Sequence, residues 1–354
     1  MSKGTKENQP GIVPRLGVAL AALALAVGIA ACGGGSGSTL NLVAYSTPQQ
    51  VYEDKLEPAF KDTSDGKDVD FSNSFGASGD QSRAVESGQP ADVVEFSLEP
   101  DMTRLVDAGI VDANWSHNQY KGIVTDSVVT LMVRPGNPKN IQSFDDLTRD
   151  DVEVIDPNPA TSGGARWNIM AIYGSQIKAG KSEAQAQDFV KQVIANTSVQ
   201  DDSARDSLNT FSSGKGDVLV GYENEAIQAK QSGIDLDYVT PDSTILIENQ
   251  IAVAKDAPSE AQKFLDFLYT DPAQQDFADA GYRPVVKSVA DKNASTFPTP
   301  VAPALRIGAV TVVSRGSTTS ESRMLSKPTT LTSAGTRSPR CLRPLMTPIA
   351  SWSL

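Results

Sequence analysis

"PNPATSGGARWN", residues Pro157 to Asn168, decides how the rest of the chain is read. The strand-like run Val152-Glu153-Val154-Ile155-Asp156 leads into Pro and Asn turn residues, and Thr161, Ser162 and two glycines then open a helical pattern. Backbone N–H groups freed at a glycine-flanked helix start make a place for an anion. The chain carries a formal net charge of −12, so local donors rather than the overall field must hold such an anion. The same acidity argues against nucleic acid or anionic lipid as partner.

Two more segments share this grammar. Phe75-Gly76-Ala77-Ser78-Gly79-Asp80-Gln81 follows a strand pattern and opens a helix, and Asp202-Ser203-Ala204-Arg205-Asp206 opens another. In each a serine stands where an N-cap belongs. Ser78-x-x-Gln81 reads as a capping box, and Ser203-x-x-Asp206 is close to one. Taken singly these are caps, but glycines beside the serines also permit close approach of a bulky ligand. Three such starts meeting at the carboxyl ends of strands would hold an anion without a cation. Each contributes roughly half a positive charge, and several charge-assisted bonds of about 1.5–3 kcal/mol could reach about −8 kcal/mol, micromolar binding.

Outward from these sites, β-branched runs alternate with amphipathic helical stretches from Thr39 onward, which argues for α/β layers with mostly parallel sheets. The 354 residues leave room for two packed lobes or one large domain. Val128–Arg134 and the long Ile245–Ala254 are candidate crossover strands between two lobes, which would then be discontinuous in sequence. At the N-terminus Lys3, Lys6 and Arg15 precede the apolar run from Leu16 to Ala31. This is a secretory signal pattern over 1–31. Ile29-Ala30-Ala31-Cys32 resembles a bacterial lipobox, with Cys32 as the lipidated residue and 32–38 as a flexible tether. If Cys32 carries lipid, only Cys341 remains and no intramolecular disulfide is available. A single histidine, His117, excludes a histidine-rich metal site, and no cofactor is indicated. Beyond Leu305 seven basic residues face Glu321 alone, and Ser, Thr and Pro dominate. Residues 306–354 therefore read as a basic, disordered tail or as an out-of-frame ending.

The motifs resemble those of bacterial sulfate/thiosulfate-binding proteins of ABC importers. They are Gly76-Ala77-Ser78-Gly79, Arg134-Pro135-Gly136-Asn137-Pro138-Lys139, Pro157 to Asn168, Asp201-Asp202-Ser203-Ala204-Arg205, Gly216 to Ala226 and Tyr282-Arg283-Pro284, in that order over about 39–300. The resemblance implies a type II periplasmic-binding-protein fold, α/β, with two lobes joined by crossover strands and the ligand in the cleft. Lobe 1 would comprise 39–130 plus 248–305, and lobe 2 residues 131–247. Ser78 would donate from its backbone and also its hydroxyl, Ser162 from its hydroxyl, and Gly163, Gly164 and Ala204 from backbone N–H groups. Arg166 and Arg205 would brace the binding peptides without touching the ligand. Tyr222 stands where the family has tryptophan; its phenol both donates and accepts. The implied partners are sulfate or thiosulfate, a membrane permease with a separate ATPase, and the membrane through Cys32. The protein would be a monomer on the outer face of the cell membrane, with no metal.

Competing readings attach to several of these residues. Another tetrahedral oxyanion, phosphate or molybdate, could be the ligand. Ser162 beside two backbone donors could imitate a hydrolase nucleophile, yet no G-x-S-x-G elbow surrounds it and His117 is the only histidine base. Tyr222 could be a core aromatic. Asp80 could accept a ligand proton or complement a helix dipole. Trp167 reads as packing, Glu223-Asn224-Glu225 as a helix start rather than a carboxylate pair, and His117 as a surface loop residue.

Overall fold

The computed structural model describes residues 38–297 and the backbone of 300–307 and 310–315. The predicted leader, Cys32, residues 33–37 of the tether and everything after Arg315, including Cys341, lie outside the described residues. Ser38, expected in the tether, begins the first strand.

Short parallel strands are followed by helices in the first half of the chain. β1 (Ser38–Tyr45) leads into a helical run in which α1 (Gln49–Val51), a π-helical turn (Tyr52–Leu56) and α2 (Glu57–Lys61) are continuous. Then come β2 (Val69–Gly76), α3 (Ser78–Glu86), β3 (Val93–Phe96) and α4 (Glu99–Asp107). β4 (Ile123–Val133) is followed by a 3-10 turn (Phe144–Thr148), β5 (Val154–Ile155), α5 (Gly163–Lys178), α6 (Glu183–Ala195), β6 (Thr197–Val199) and α7 (Ala204–Ser212). β7 (Val218–Tyr222), α8 (Glu223–Gln231), β8 (Asp237–Val239) and β9 (Ser243–Val253) precede α9 (Ser259–Leu268), α10 (Asp271–Asp279), β10 (Arg283–Pro284) and α11 (Lys287–Lys292). The last elements are β11 (Pro300–Ile307) and β12 (Val310–Arg315).

The strands run in the order β2-β1-β3-β9-β4-β7-β5-β6. β1 pairs parallel with β2 and β3, and β5 parallel with β6 and β7. The sheets are nevertheless mixed rather than mostly parallel, because β4 and β9 run antiparallel to their neighbours. These two strands are long because they serve both halves of the molecule. Ile123–Val128 of β4 pairs with β9, while Val129–Val133 pairs with β7. β9 in turn reaches β3 through Gln250–Val253. The result is a two-lobed α/β fold with β4 and β9 as crossovers. β12 adds to β9 at Ser243–Ile245, and β11 crosses the point where the basic tail was expected to begin, so strand pairing extends beyond Val310–Val313.

Each half has its own apolar core. Leu40, Leu42, Tyr52, Leu56, Phe60, Phe264 and Phe277 pack around β1 in one. Leu131, Val133, Val154, Ile172, Val190 and Val220 fill much of the other, together with Phe144 and Trp167. In the first sheet the inner strand β3 reads as an apolar run with little alternation, whereas β2 at the edge is mostly polar and only partly buried. Within β3, Val93, Val94, Glu95 and Phe96 are all buried.

Glu95 is the exception inside that core. It accepts a hydrogen bond from Tyr52 Oη, yet burial pushes its carboxyl up to about 8, and the Tyr52 bond offsets only part of this. The unfolded chain releases the proton near ~4.3. Below that value both states are protonated. Between it and about 8 the folded state alone keeps the proton, so stability falls as pH rises, by up to ~1.4 kcal/mol per pH unit, and the loss levels off above. Glu95→Gln is expected to flatten this slope by about one proton, measured as urea-unfolding free energies across the range. An unchanged slope would show that Glu95 does not set it.

Candidate functional site

The helix starts singled out in the sequence come together. Ser78, Ser162, Gly163, Gly164, Ala204 and Tyr222 all line one cleft with about 210 Å³ of empty space, joined there by Tyr45, Ser46, Thr47, Ala77 and Ser97. The cleft is small and suits an ion rather than a drug-sized molecule. The lining follows the ends of β1, β2, β3 and β7 and the first turns of α3, α5 and α7, so it sits where strands give way to helices.

At α5 the N-cap is Ser162, whose Oγ accepts from Ala165 N at 3.3 Å. Its own O–H proton is thereby left to donate. Gly163 and Gly164 follow, with N–H groups that have no intrahelical acceptor at a helix start. At α7 Ser203 is the N-cap: its Oγ accepts from Asp206 N (3.1 Å) and donates to the Asp206 carboxylate (2.6 Å), which leaves Ala204 as the first residue facing the cleft. Tyr222 ends β7 and is the N-cap of α8.

α3 departs from the sequence reading. The N-cap is Ala77, with extended backbone (φ −62°, ψ 130°), and Ser78 is the first helical residue, so the Ser78-x-x-Gln81 capping box does not form. Ser78 Oγ donates instead to Asp101 Oδ2 at 2.7 Å and accepts from Ser97 N at 3.2 Å. A buried carboxylate is a stronger acceptor than any group at the helix end. The hydroxyl is therefore committed, and Ser78 offers the cleft its backbone N–H.

None of the lining residues is charged. The cations stand behind the walls. Arg166 donates from Nε to Pro159 O (2.8 Å) and from Nη2 to Ala160 O (3.4 Å), and its Nη1 lies 4.0 Å from Asp101. Arg205 donates to Thr47 O at 3.0 Å and Gln228 Oε1 at 3.2 Å. Burial raises the Asp101 carboxyl, while the Ser78 bond and Arg166 and Arg104 act against that shift. Several contacts tie the two walls: Gly79 N donates to Thr161 O at 3.1 Å, Arg205 reaches Thr47, and Trp167 Nε1 donates to Ser97 O. Trp167 thus packs in the core and faces a carbonyl rather than the cleft.

Of the remaining candidates, Asp80 is exposed and pairs with Arg83. Glu223 and Glu225 diverge at the α8 start: Glu223 pairs with Arg283, whereas Glu225 is pushed up to about 7 by burial, against the pull of Arg205. His117 lies on an exposed loop and is not part of the cleft. Tyr45, Ser46, Thr47, Ala77 and Ser97 were not singled out in the sequence. Their signal was position alone, at or just beyond the carboxyl ends of β1, β2 and β3.

Residues 40–283 match the bacterial extracellular solute-binding protein family. The chain belongs to that family. Among relatives of this solute-binding protein, a sulfate-binding protein from Synechococcus elongatus is 38% identical over 289 residues, covering 76% of this chain and 82% of the relative. A thiosulfate-binding protein from Pseudomonas aeruginosa is 31% identical over 270 residues, covering 72% and 81%. The solved structure of the sulfate-binding protein SubI from Mycobacterium tuberculosis superposes with a TM-score of 0.72 at 43% identity, over 74% of this chain and 92% of that one. The two-lobed periplasmic-binding-protein fold of this solute-binding protein is therefore shared across the matched region.

Proposed function

We propose that this chain is an extracytoplasmic receptor that captures sulfate, or thiosulfate, in the cleft and hands it to the membrane permease of an ABC importer driven by a separate ATPase. The observation that carries this reading is the convergence of helix starts on one small cleft with no charged side chain in its lining. Such a site stabilises a dehydrated dianion with N–H and O–H donors and helix dipoles. Ser162 donates its hydroxyl, Gly163, Gly164, Ala204 and Ser78 their backbone N–H groups, and Tyr222 its phenol. Arg166 and Arg205 hold the peptides behind those donors. The relatives' names point to the same ligand class.

Lobe 1, 39–130 plus 248–305, and lobe 2, 131–247, close over the anion and so present a surface that the permease distinguishes from the open form. The chain works as a monomer, tethered by lipid on Cys32 after removal of residues 1–31. It binds without catalysing: Ser162 has no histidine beside it, since His117 lies outside the cleft.

Calorimetric titration with sulfate tests the reading. Binding at about micromolar strength or tighter is expected. Ser162→Ala removes one hydrogen bond to a charged ligand and should weaken it by about 10- to 100-fold. A folded protein that ignores both sulfate and thiosulfate would sink the proposal. A melting curve of the variant separates loss of the ligand bond from loss of the α5 cap, itself about 1 kcal/mol.

A further inference from the structure

The cleft contains more hydroxyl capacity than a bare dianion requires. Tyr45 Oη, Ser97 Oγ and Tyr222 Oη are buried, belong to lining residues and have no hydrogen-bond partner among the described residues. Buried polar atoms in folded proteins are rarely left this way without a reason. Of the other lining hydroxyls, Ser46 is the one for which no partner stands out, and several of the rest are committed. Ser78 Oγ is taken by Asp101 and Ser97 N, Thr47 Oγ1 lies 3.2 Å from Tyr282 Oη, and Ser162 Oγ already accepts from Ala165 N. Backbone N–H groups never accept. A ligand's own proton would find a buried acceptor among the three free hydroxyls, each able to donate and accept at once.

Two of the three are neighbours at the mouth of α5. A Cβ built on Gly163 would lie 2.0 Å from Ser97 Oγ, and one on Gly164 would lie 3.4 Å from Tyr222 Cε1. Ser97 lies near enough to the Tyr222 phenol to act against the rise in its pKa, although the two hydroxyls are not hydrogen-bonded to each other in this structure. Burial raises the phenol well above its ordinary pKa, so it keeps its proton and retains both capacities at physiological pH.

We propose that Tyr222 and Ser97 form a donor–acceptor pair that lets the receptor hold a singly protonated tetrahedral oxyanion, hydrogen phosphate or hydrogen arsenate, in the cleft that takes the unprotonated dianion. This rests on the receptor reading of the same cleft. The protons balance in a closed ring without any bond being broken. The anion's O–H donates to Tyr222 Oη, the phenol donates to Ser97 Oγ, and the Ser97 hydroxyl donates to a second anion oxygen. With a dianion that has no proton, both hydroxyls turn and donate to it. An indole at position 222 would donate only, and the ligand's proton would be buried without an acceptor, the situation in which sites reject an analogue most strongly.

The test is calorimetry on the full chain with sulfate and inorganic phosphate, at a pH between the second and third ionisations of phosphate. Both ions then carry two negative charges and differ by one proton. Hydrogen phosphate is expected within about 100-fold of sulfate in affinity. Tyr222→Phe and Ser97→Ala should each widen the gap in favour of sulfate by about 10-fold, because an unsatisfied buried donor costs more than one lost bond to a ligand oxygen. Sulfate binding with phosphate more than about 1,000-fold weaker would overturn the inference and leave the receptor reading intact, since such a ratio is that of a site that rejects the proton. Equal weakening of both ligands by the variants would overturn it too. If sulfate itself fails to bind the folded wild type, the receptor reading falls and this inference falls with it. The wild-type comparison does not depend on how the variants fold, and their melting curves show whether the ratios come from intact protein.

Discussion

Gly163→Ala should weaken sulfate binding by at least about 100-fold, equivalent to about 2.7 kcal/mol, while leaving the protein folded. Gly163 has no positive φ, so alanine is not barred by backbone conformation, and at a helix position it is favoured by roughly 0.5–1 kcal/mol. The obstacle is the opposite wall. The new methyl carbon would fall 2.0 Å from Ser97 Oγ and 3.2 Å from both Ser78 Cβ and Leu98 Cγ. Those atoms sit just beyond the end of β3 and at the start of α3, and they belong to buried residues with little freedom to move. α5 must retreat from them, and overpacking of this kind costs about 1–3 kcal/mol. That strain falls on closure of the cleft, because each half keeps its own apolar core. Gly164→Ala is the control. Its methyl would meet Ser162 Oγ at 3.3 Å, Tyr222 Cε1 at 3.4 Å and Ala204 Cβ at 3.6 Å, and small shifts absorb such contacts. A loss of only about 10-fold is expected there. Titration of the two variants side by side decides it: equal losses would rule out crowding against Ser97 as the cause.

Arg283→Met should cost about 3–5 kcal/mol of stability, the usual range for removing one partner from a buried ion pair. Arg283 is held by Glu223 through Nε (2.8 Å) and Nη2 (3.1 Å), with side chains only 11% and 3% exposed. Its guanidinium also lies 5.5 Å from the centre of the Phe297 ring. More depends on it than one pair. Asp126 is its partner in the β10–β4 register, and Glu248 is opposite Asp126 in the β4–β9 register. Burial, with the Glu248 charge adding to it, pushes the Asp126 carboxyl up to about 8 even with Arg283 pulling the other way. Without the guanidinium the Asp126 carboxyl holds its proton more tightly still in the folded state, so above about 8, where it ionises in the wild type, the deficit should grow further. Urea unfolding at neutral and alkaline pH measures it. A loss under about 1 kcal/mol at neutral pH would show that water or protons replace the arginine. Because Glu223 follows Tyr222 directly, the variant should also bind sulfate more weakly.

Features written in neighbouring residues were legible before any fold was known. The bounds of α5, Gly163–Lys178, and of α8, Glu223–Gln231, could be read because glycines, caps and turn residues mark helix ends locally. Ser162, Gly163 and Gly164 stand out for the same reason, whereas Ala204 and Tyr222 are named only through the resemblance of the ordered motifs to a family. Packing settled what depends on partners far along the chain. β4 begins at Ile123 rather than Val128, because Thr125, Asp126 and Ser127 look polar and become strand only when β9 pairs with them. The Ser78 hydroxyl looks like a cap but bonds to Asp101, 23 residues away. Tyr45 and Ser97 carry no motif of their own, and they meet Tyr222 only because β1, β3 and β7 end at one cleft. A residue's backbone preference is set by its neighbours in sequence, whereas the partner of a buried hydroxyl is whichever group the fold brings within about 3 Å.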